Sequence, residues 1–298
     1  MKHLFIINPA AGSRDRTKEY KKAIVEACQG LDYRVEVSAG PGDCTRLAAE
    51  AAESGEEYRI YACGGDGPLN EVAAGAAGCP NAAVTVFAGG SGNDFVRLFS
   101  EPQAFRNLHR LLDAQERELD LIRCNDSLSV NICSVGLDAR IGTDVASYKR
   151  IPLLQGFWAY AASAAVNVIK GIAEPLKVEI CGQVFAGEMT MVCVCNGRYY
   201  GGGFCPVPEA DPADGMLEVL LVDKVRRYQV PGLIGKYKAG RYRELPRYIR
   251  HFRTDRLTIR AKGPTAINLD GELRRAEEIH ISLAEEKLRF FYPKGLTW

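Results

Sequence analysis

The sequence predicts an α/β protein in two domains, and three observations carry that prediction. Short apolar strands alternate with Ala-rich helical stretches over residues 1–122. From 123 to 298 the rhythm changes to strand after strand separated by turns. The chain has 298 residues, enough for two cores of substantial size.

In chain order, Lys2 to Ile7 is nearly all apolar, as a central parallel strand should be. Asn8-Pro9-Ala10-Ala11-Gly12 ends it, and a helix is expected from Thr17 to Gln29. Tyr33 to Val37 is the next strand, Ser38 to Asp43 a turn, and Cys44 to Ser54 a second helix. Tyr58 to Cys63 is a buried strand, Leu69 to Ala77 a helix, and Ala83 to Phe87 another strand. This βαβ rhythm predicts a parallel sheet whose ligands gather beyond the strands' carboxyl ends, where Asn8, Ser38, Asp66 and Ser91 fall. In the second domain, strands are expected at Ser127 to Cys133, Leu176 to Ile180, Val184 to Cys195, Met216 to Val222 and Arg256 to Ala261. An antiparallel, sandwich-like arrangement follows, with Leu288 to Pro293 a candidate to return to the first domain.

Composition excludes several classes. Apolar residues make up 47% and charged residues 25%, ordinary for a globular chain, and the net charge is +1, so nothing overall draws it to nucleic acid. Ten cysteines are scattered without CxxC or zinc-like spacing, which predicts reduced thiols and a cytoplasmic setting. A strand begins at once, with no signal-peptide pattern ahead of it. The apolar run Ile151 to Ala173 is interrupted by Gln155, Asn167 and Lys170, so a buried helix is expected there and not a membrane span.

Chemistry concentrates in the turns. Cys63-Gly64-Gly65-Asp66-Gly67-Pro68-Leu69-Asn70-Glu71-Val72 sets a glycine-rich turn between a strand and a helix. Its glycines allow close backbone approach, and the helix start suits phosphate. Asp66 would repel a bare phosphate, which implies Mg²⁺ or a hydroxyl as a third participant. A second turn, Ala88-Gly89-Gly90-Ser91-Gly92-Asn93-Asp94-Phe95, follows the next strand, and Asn268-Leu269-Asp270-Gly271-Glu272 sets two carboxylates on a late turn.

Taken with Asn8-Pro9-Ala10-Ala11-Gly12, these stretches resemble the diacylglycerol kinase catalytic-domain family, specifically its bacterial soluble lipid kinases. The family patterns NPxxG, GGDGTxxEV, PxGTxNDF and LDGE recur here in order and span nearly the whole chain. Pro68 replaces the usual Thr, and Ala88 and Ser91 replace the usual Pro and Thr. The resemblance implies an α/β nucleotide-binding domain and a β-sandwich-like lipid-substrate domain. It also implies an ATP site along Asn8, Pro9, Gly12, Ser38, Gly65, Asp66, Gly67, Pro68, Leu69, Asn70, Glu71 and Ser91.

Kinase chemistry needs a phosphate cradle, a divalent cation and a base near the acceptor hydroxyl. Asp66, with Asp94 and Asp120, is a candidate set for catalytic Mg²⁺; the plain alternatives are a helix cap for Asp94 and a loop carboxylate for Asp120. Glu272 is the candidate base, flanked by Asp270, against the reading of Asp270-Gly271 as an ordinary hairpin turn. Asp211 and Asp214, with the Met216 carbonyl, have oxygen-ligand spacing that the resemblance reads as a structural Mg²⁺ site; the alternative is a plain turn.

The segment from Lys224 to Arg256 holds eleven Lys or Arg against two Asp or Glu, interleaved with Tyr237, Tyr242, Tyr248 and Phe252. It is either a solvated face or a patch for anionic headgroups, with no nucleic-acid motif beside it. The expected protein is thus an ATP- and Mg²⁺-dependent kinase acting on a hydroxyl of diacylglycerol or a related membrane lipid. It would sit transiently on the inner, anionic membrane face, and a homodimer is one assembly compatible with the chain. An NAD kinase-like enzyme and a non-catalytic nucleotide-binding regulator are the competing readings.

Overall fold

Five of the six residues in Lys2–Ile7 are buried, which makes this run (β1) a strand covered on both faces. The computed structural model describes residues 1–12, 14–89, 93–141 and 171–298. The expected helix over Ile151 to Ala173 lies outside the described residues for all but its last three positions, and Ser91 lies outside them as well.

The chain forms two compact units, Met1–Leu121 with Ala284–Trp298, and Ile122–Leu283. The expected boundary at 122/123 moves by one residue, and residues 284–298 leave the second block for the first unit. In unit 1, β1 is followed by α1 (Thr17–Ala27), β2 (Tyr33–Val37), α2 (Asp43–Ala52), β3 (Tyr58–Gly64), α3 (Asp66–Ala76) and β4 (Ala82–Ala88). After the short α4 (Leu108–Leu112) comes β5 (Ala114–Leu119). The six-stranded sheet runs β2-β1-β3-β4-β15-β5, where β15 is Leu288–Pro293. All pairings are parallel except β15 with β5. Aromatic packing recruits β15. Phe290 and Phe291 are fully buried; Phe290 meets Phe95 edge-on at 5.3 Å and Phe291 meets Tyr61 at 4.9 Å. Contacts of this kind add about 0.5–1.5 kcal/mol each beyond area burial.

Unit 2 holds β6 (Ile122–Cys124), β7 (Ser127–Ser129), β8 (Ile132–Gly136), β9 (Glu174–Ile180), β10 (Gln183–Cys195) and β11 (Leu217–Asp223). A helix, α5 (Val230–Lys238), precedes β12 (Ile249–Thr254), β13 (Arg256–Leu269) and β14 (Glu272–Leu283). Every pairing among these strands is antiparallel. The long β10 and β13 each pair with β8 along one stretch and β9 along another. Alternation along β10 feeds two cores: Val192 and Val194 face one, Met191, Cys193 and Cys195 the other. All ten cysteines are free. Among the described residues, no helix is long and apolar enough to cross a membrane.

Candidate active site

In unit 1 the predicted turns meet at the carboxyl edge of the parallel strands. Asn8, after β1, donates its N–H to the Cys63 carbonyl at 3.4 Å, while its Oδ1 accepts the Ala10 N–H at 2.9 Å. Ser38, after β2, donates its N–H to the Ile7 carbonyl at 2.9 Å. Gly64 closes the arrangement. A Cβ there would lie 2.7 Å from Pro68 Cγ and 3.1 Å from Ala11 Cβ, so only glycine lets the Pro9 to Gly12 turn and the α3 start approach each other. Gly67, by contrast, faces open space. Gly65 caps α3 in an extended conformation, and the first helical bond runs from Leu69 N–H to the Gly65 carbonyl. Pro68 therefore stands in the first turn, where a missing N–H breaks no helical bond. Leu69 and Asn70 are buried, and Glu71 ties α3 to the preceding turn by accepting the Gly42 N–H at 3.2 Å.

Asp66 takes a role the sequence assigned elsewhere. Its carboxylate accepts the N–H of Asp94 at 2.9 Å and of Phe95 at 3.1 Å, so it caps the short 3₁₀ helix Phe95–Leu98. Asp94 makes no such cap with its own side chain, which pairs instead with Arg97 at 3.1 Å. Asp66 is thus tied to the backbone of Asp94, which brings two aspartates to the carboxyl edge of the sheet. That fits a Mg²⁺ held mainly by nucleotide phosphates, which needs only one or two protein carboxylates. Asp120 is a correction. It follows β5, which runs antiparallel to β15 and ends opposite Leu288, at the amino edge of the sheet. There it pairs with Lys287, at the opposite edge from Asp66 and Asp94.

In unit 2, Asp270 and Gly271 form a two-residue hairpin between β13 and β14, both at positive φ (50° and 95°) as an Asp-Gly turn of this type requires. Asp270 is more than a turn residue. Its carboxylate accepts the N–H groups of Val130, Asn131 and Ile132 at 2.8, 2.9 and 2.8 Å, and the Ser129 hydroxyl at 2.7 Å. These bonds interrupt the expected strand Ser127 to Cys133, which divides into β7 and β8. Burial pushes the Asp270 carboxyl up from its ordinary range, against the pull of those donors. Desolvation is the cause. Glu272 opens β14 with its side chain 34% exposed and paired to Arg274 at 2.9 Å.

The Asp211 to Met216 turn is held by its own backbone and by an arginine. Asp211 accepts the Ala213 N–H at 3.1 Å and Asp214 the Met216 N–H at 3.0 Å. The other Asp214 oxygen pairs with Arg253 at 2.6 Å, and Arg253 also reaches the buried Glu218 at 2.8 Å. The Arg253 guanidinium thus stands on Asp214, beside the turn where the sequence reading placed a cation. Among the described residues no group of three His, Cys, Asp or Glu side chains is placed to hold one.

Sequence reasoning missed a cavity of about 110 Å³ inside unit 2. Its walls include Leu137, Ile141, Met191, Val222, Leu233 and Ile249, with Asp138 the one carboxyl among the described lining residues. Asp138 accepts the Ser134 hydroxyl at 2.6 Å and is also bonded by the side chains of Tyr200 and Asn268. Burial still raises its carboxyl above the ordinary range. Asn268 in turn accepts the Gly271 N–H at 2.8 Å. A hydrogen-bonded path therefore joins the cavity to the turn that carries Glu272.

Comparison with known proteins agrees with this architecture. Residues 2–124 match the diacylglycerol kinase catalytic domain, and residues 131–291 match the YegS C-terminal NAD kinase beta sandwich-like domain. A probable lipid kinase, YegS-like, from Pseudomonas aeruginosa is 27% identical over 285 residues, covering 95% of this chain and 93% of its own. The crystal structure of a diacylglycerol kinase from Bacillus anthracis superposes with a TM-score of 0.68 at 21% identity, covering 98% of this chain and 97% of that one, a likeness of fold. On these matches the chain belongs to the diacylglycerol kinase catalytic-domain family, the family of the lipid kinases.

Proposed function

We propose that the protein transfers the γ-phosphoryl group of ATP, with Mg²⁺, to a hydroxyl of diacylglycerol or a related membrane lipid. The observation that carries this reading is the apolar cavity, linked through Asp138 and Asn268 to the Glu272 turn within one unit. Hydrocarbon gains about 25 cal/mol per Å² on entering such walls. The polar, charged NAD molecule would find there a single carboxyl, three phenols and one threonine hydroxyl among otherwise apolar walls, which disfavours the NAD kinase reading.

In unit 1, the glycine turns and the α3 start receive the phosphates, with Asp66 and Asp94 beside them. Mg²⁺, when bound with the nucleotide, neutralises phosphate oxygens during transfer. In unit 2, Glu272 takes the acceptor hydroxyl proton as that oxygen bonds to the γ-phosphorus and the bond to the bridging oxygen of ADP breaks. Asp138 meets the polar end of the lipid, and Asp270 fixes the turn.

Filling the cavity tests the reading. Leu233→Trp should raise KM for a long-chain diacylglycerol in mixed micelles by about tenfold, while KM for ATP stays put. An unchanged lipid KM would remove the cavity from substrate binding, and phosphate transfer to NAD by the wild type would favour the other enzyme class.

A further inference from the structure

The basic segment from Lys224 to Arg256 resolves, in the structure, into cations paired with carboxylates and cations without a carboxylate partner among the described residues. Lys224, Arg243, Arg250 and Arg253 pair with Glu188, Glu209, Asp223 and Asp214, carboxylates from elsewhere in unit 2. Glu244 holds Lys236 and Arg241, and Asp255 holds Arg256. Arg226, Arg227, Lys238 and Arg247 have no carboxylate partner among the described residues. Three of these four flank or end α5 (Val230–Lys238).

The same element carries outward apolar side chains. Tyr228 is 72% exposed and Ile234 is 42% exposed, two of the few large apolar side chains left open to solvent. Ile234 is also a cavity wall, together with Val230, Leu233 and Tyr237. A residue that both lines the cavity and faces solvent marks where the cavity opens, so the opening lies beside α5. Cations without a carboxylate partner among the described residues, an exposed aromatic ring and an apolar opening are therefore collected on one short element. Each alone is a common surface feature; their coincidence is what a bilayer interface selects, with cations at headgroup level and rings at the boundary.

We propose that Arg226–Lys238 is the element by which this protein seats on an anionic bilayer, presenting the opening of its cavity to the lipid. The proposal rests on the lipid-kinase reading for the purpose of the cavity, whereas the seating itself is a binding property that can be measured without turnover. It assigns the attraction to the charges around α5 and withdraws it from Arg241 and Arg243, whose charges are already paired.

The experiment is co-sedimentation of the purified full chain with vesicles of phosphatidylglycerol and phosphatidylcholine, and with phosphatidylcholine alone. The wild type should bind the mixed vesicles, release them as salt rises, and ignore the neutral ones. Arg227→Glu with Tyr228→Ser should weaken binding by about tenfold, with Tm unchanged because both side chains are exposed. Turnover on detergent-dispersed lipid should survive, since neither residue lines the cavity. Arg241→Ala should bind as the wild type does. Equal binding by the wild type and the Arg227/Tyr228 variant, or no binding by the wild type, overturns the proposal. A wild type that seats through α5 yet phosphorylates no lipid in detergent would instead overturn the functional reading and leave the seating intact.

Discussion

The Asp66 carboxylate accepts the backbone N–H of Asp94 at 2.9 Å, so the aspartate of the first glycine-rich turn fixes the start of the segment after the second. Phe95 continues the linkage, giving Asp66 a second N–H and packing its ring against Phe290 of the returning strand. The position of Asp94 is thus set by a charge-assisted cap on one side and an aromatic core on the other.

Two substitutions separate the structural and chemical parts of that linkage. Asp66→Ala strips both N–H groups of their acceptor and should cost about 1–3 kcal/mol in urea unfolding, besides abolishing transfer. Asp66→Asn keeps one acceptor oxygen, so most of the stability should return while turnover stays at least about a hundredfold down. Recovery of turnover along with stability would make Asp66 a scaffold residue only.

Glu272→Gln and Asp270→Ala should fail in different ways. Glu272 is about one-third exposed with a surface ion pair, so its amide variant should melt with the wild type and lose transfer by about 10²–10⁴-fold. Asp270→Ala leaves the N–H groups of Val130, Asn131 and Ile132 without their acceptor and should destabilise by at least about 3 kcal/mol. A Glu272→Gln enzyme with more than about a tenth of wild-type turnover would exclude it as the base.

The Asp211 to Met216 turn gives a test of cation identity. With Arg253 supplying the charge, EDTA and added Mg²⁺ should leave the apo protein's melting temperature unchanged, and Arg253→Ala should lower it. That variant leaves the buried Glu218 without its guanidinium, a loss that surface pairs do not show. Melting that falls with EDTA in the wild type would restore the metal.

Asp138 predicts a pH dependence. Its folded carboxyl is raised above the ordinary value of 3.8 by burial, so the fold favours its protonated form. The stability this contributes is present below the unfolded value and is lost as pH rises through the folded one. Measured from about pH 4 to about pH 8, the melting temperature of the wild type should therefore fall relative to that of Asp138→Asn. A flat difference, or one of opposite slope, contradicts the burial argument.

The sequence made the turns legible because their chemistry is local. Gly64, Gly65 and Gly67, Asp66 and the Asp270-Gly271 hairpin can each be read within ten residues. What was not legible depends on partners distant in sequence. Asp120 was grouped with Asp66 because apolar periodicity does not reveal strand direction, and β5 runs against its neighbour. Arg253 lies 39 positions from Asp214, and a spacing rule for metal ligands cannot anticipate an arginine arriving from the next strand. The eleven cations looked like one patch because Glu188, Glu209, Asp214 and Asp223 lie outside the segment that they neutralise. The cavity draws walls from β10, β11, β12, α5 and the residues that follow β8, so no window of sequence contains it.

The measurement closest to the central claim is transfer of label from γ-labelled ATP, with Mg²⁺, into the organic phase of a diacylglycerol micelle assay. Purified wild-type protein should convert the lipid to a phosphorylated, organic-soluble product, and Glu272→Gln should not. Label that remains wholly in the aqueous phase across diacylglycerol and related hydroxyl lipids, with a correctly folded wild type, would contradict the account.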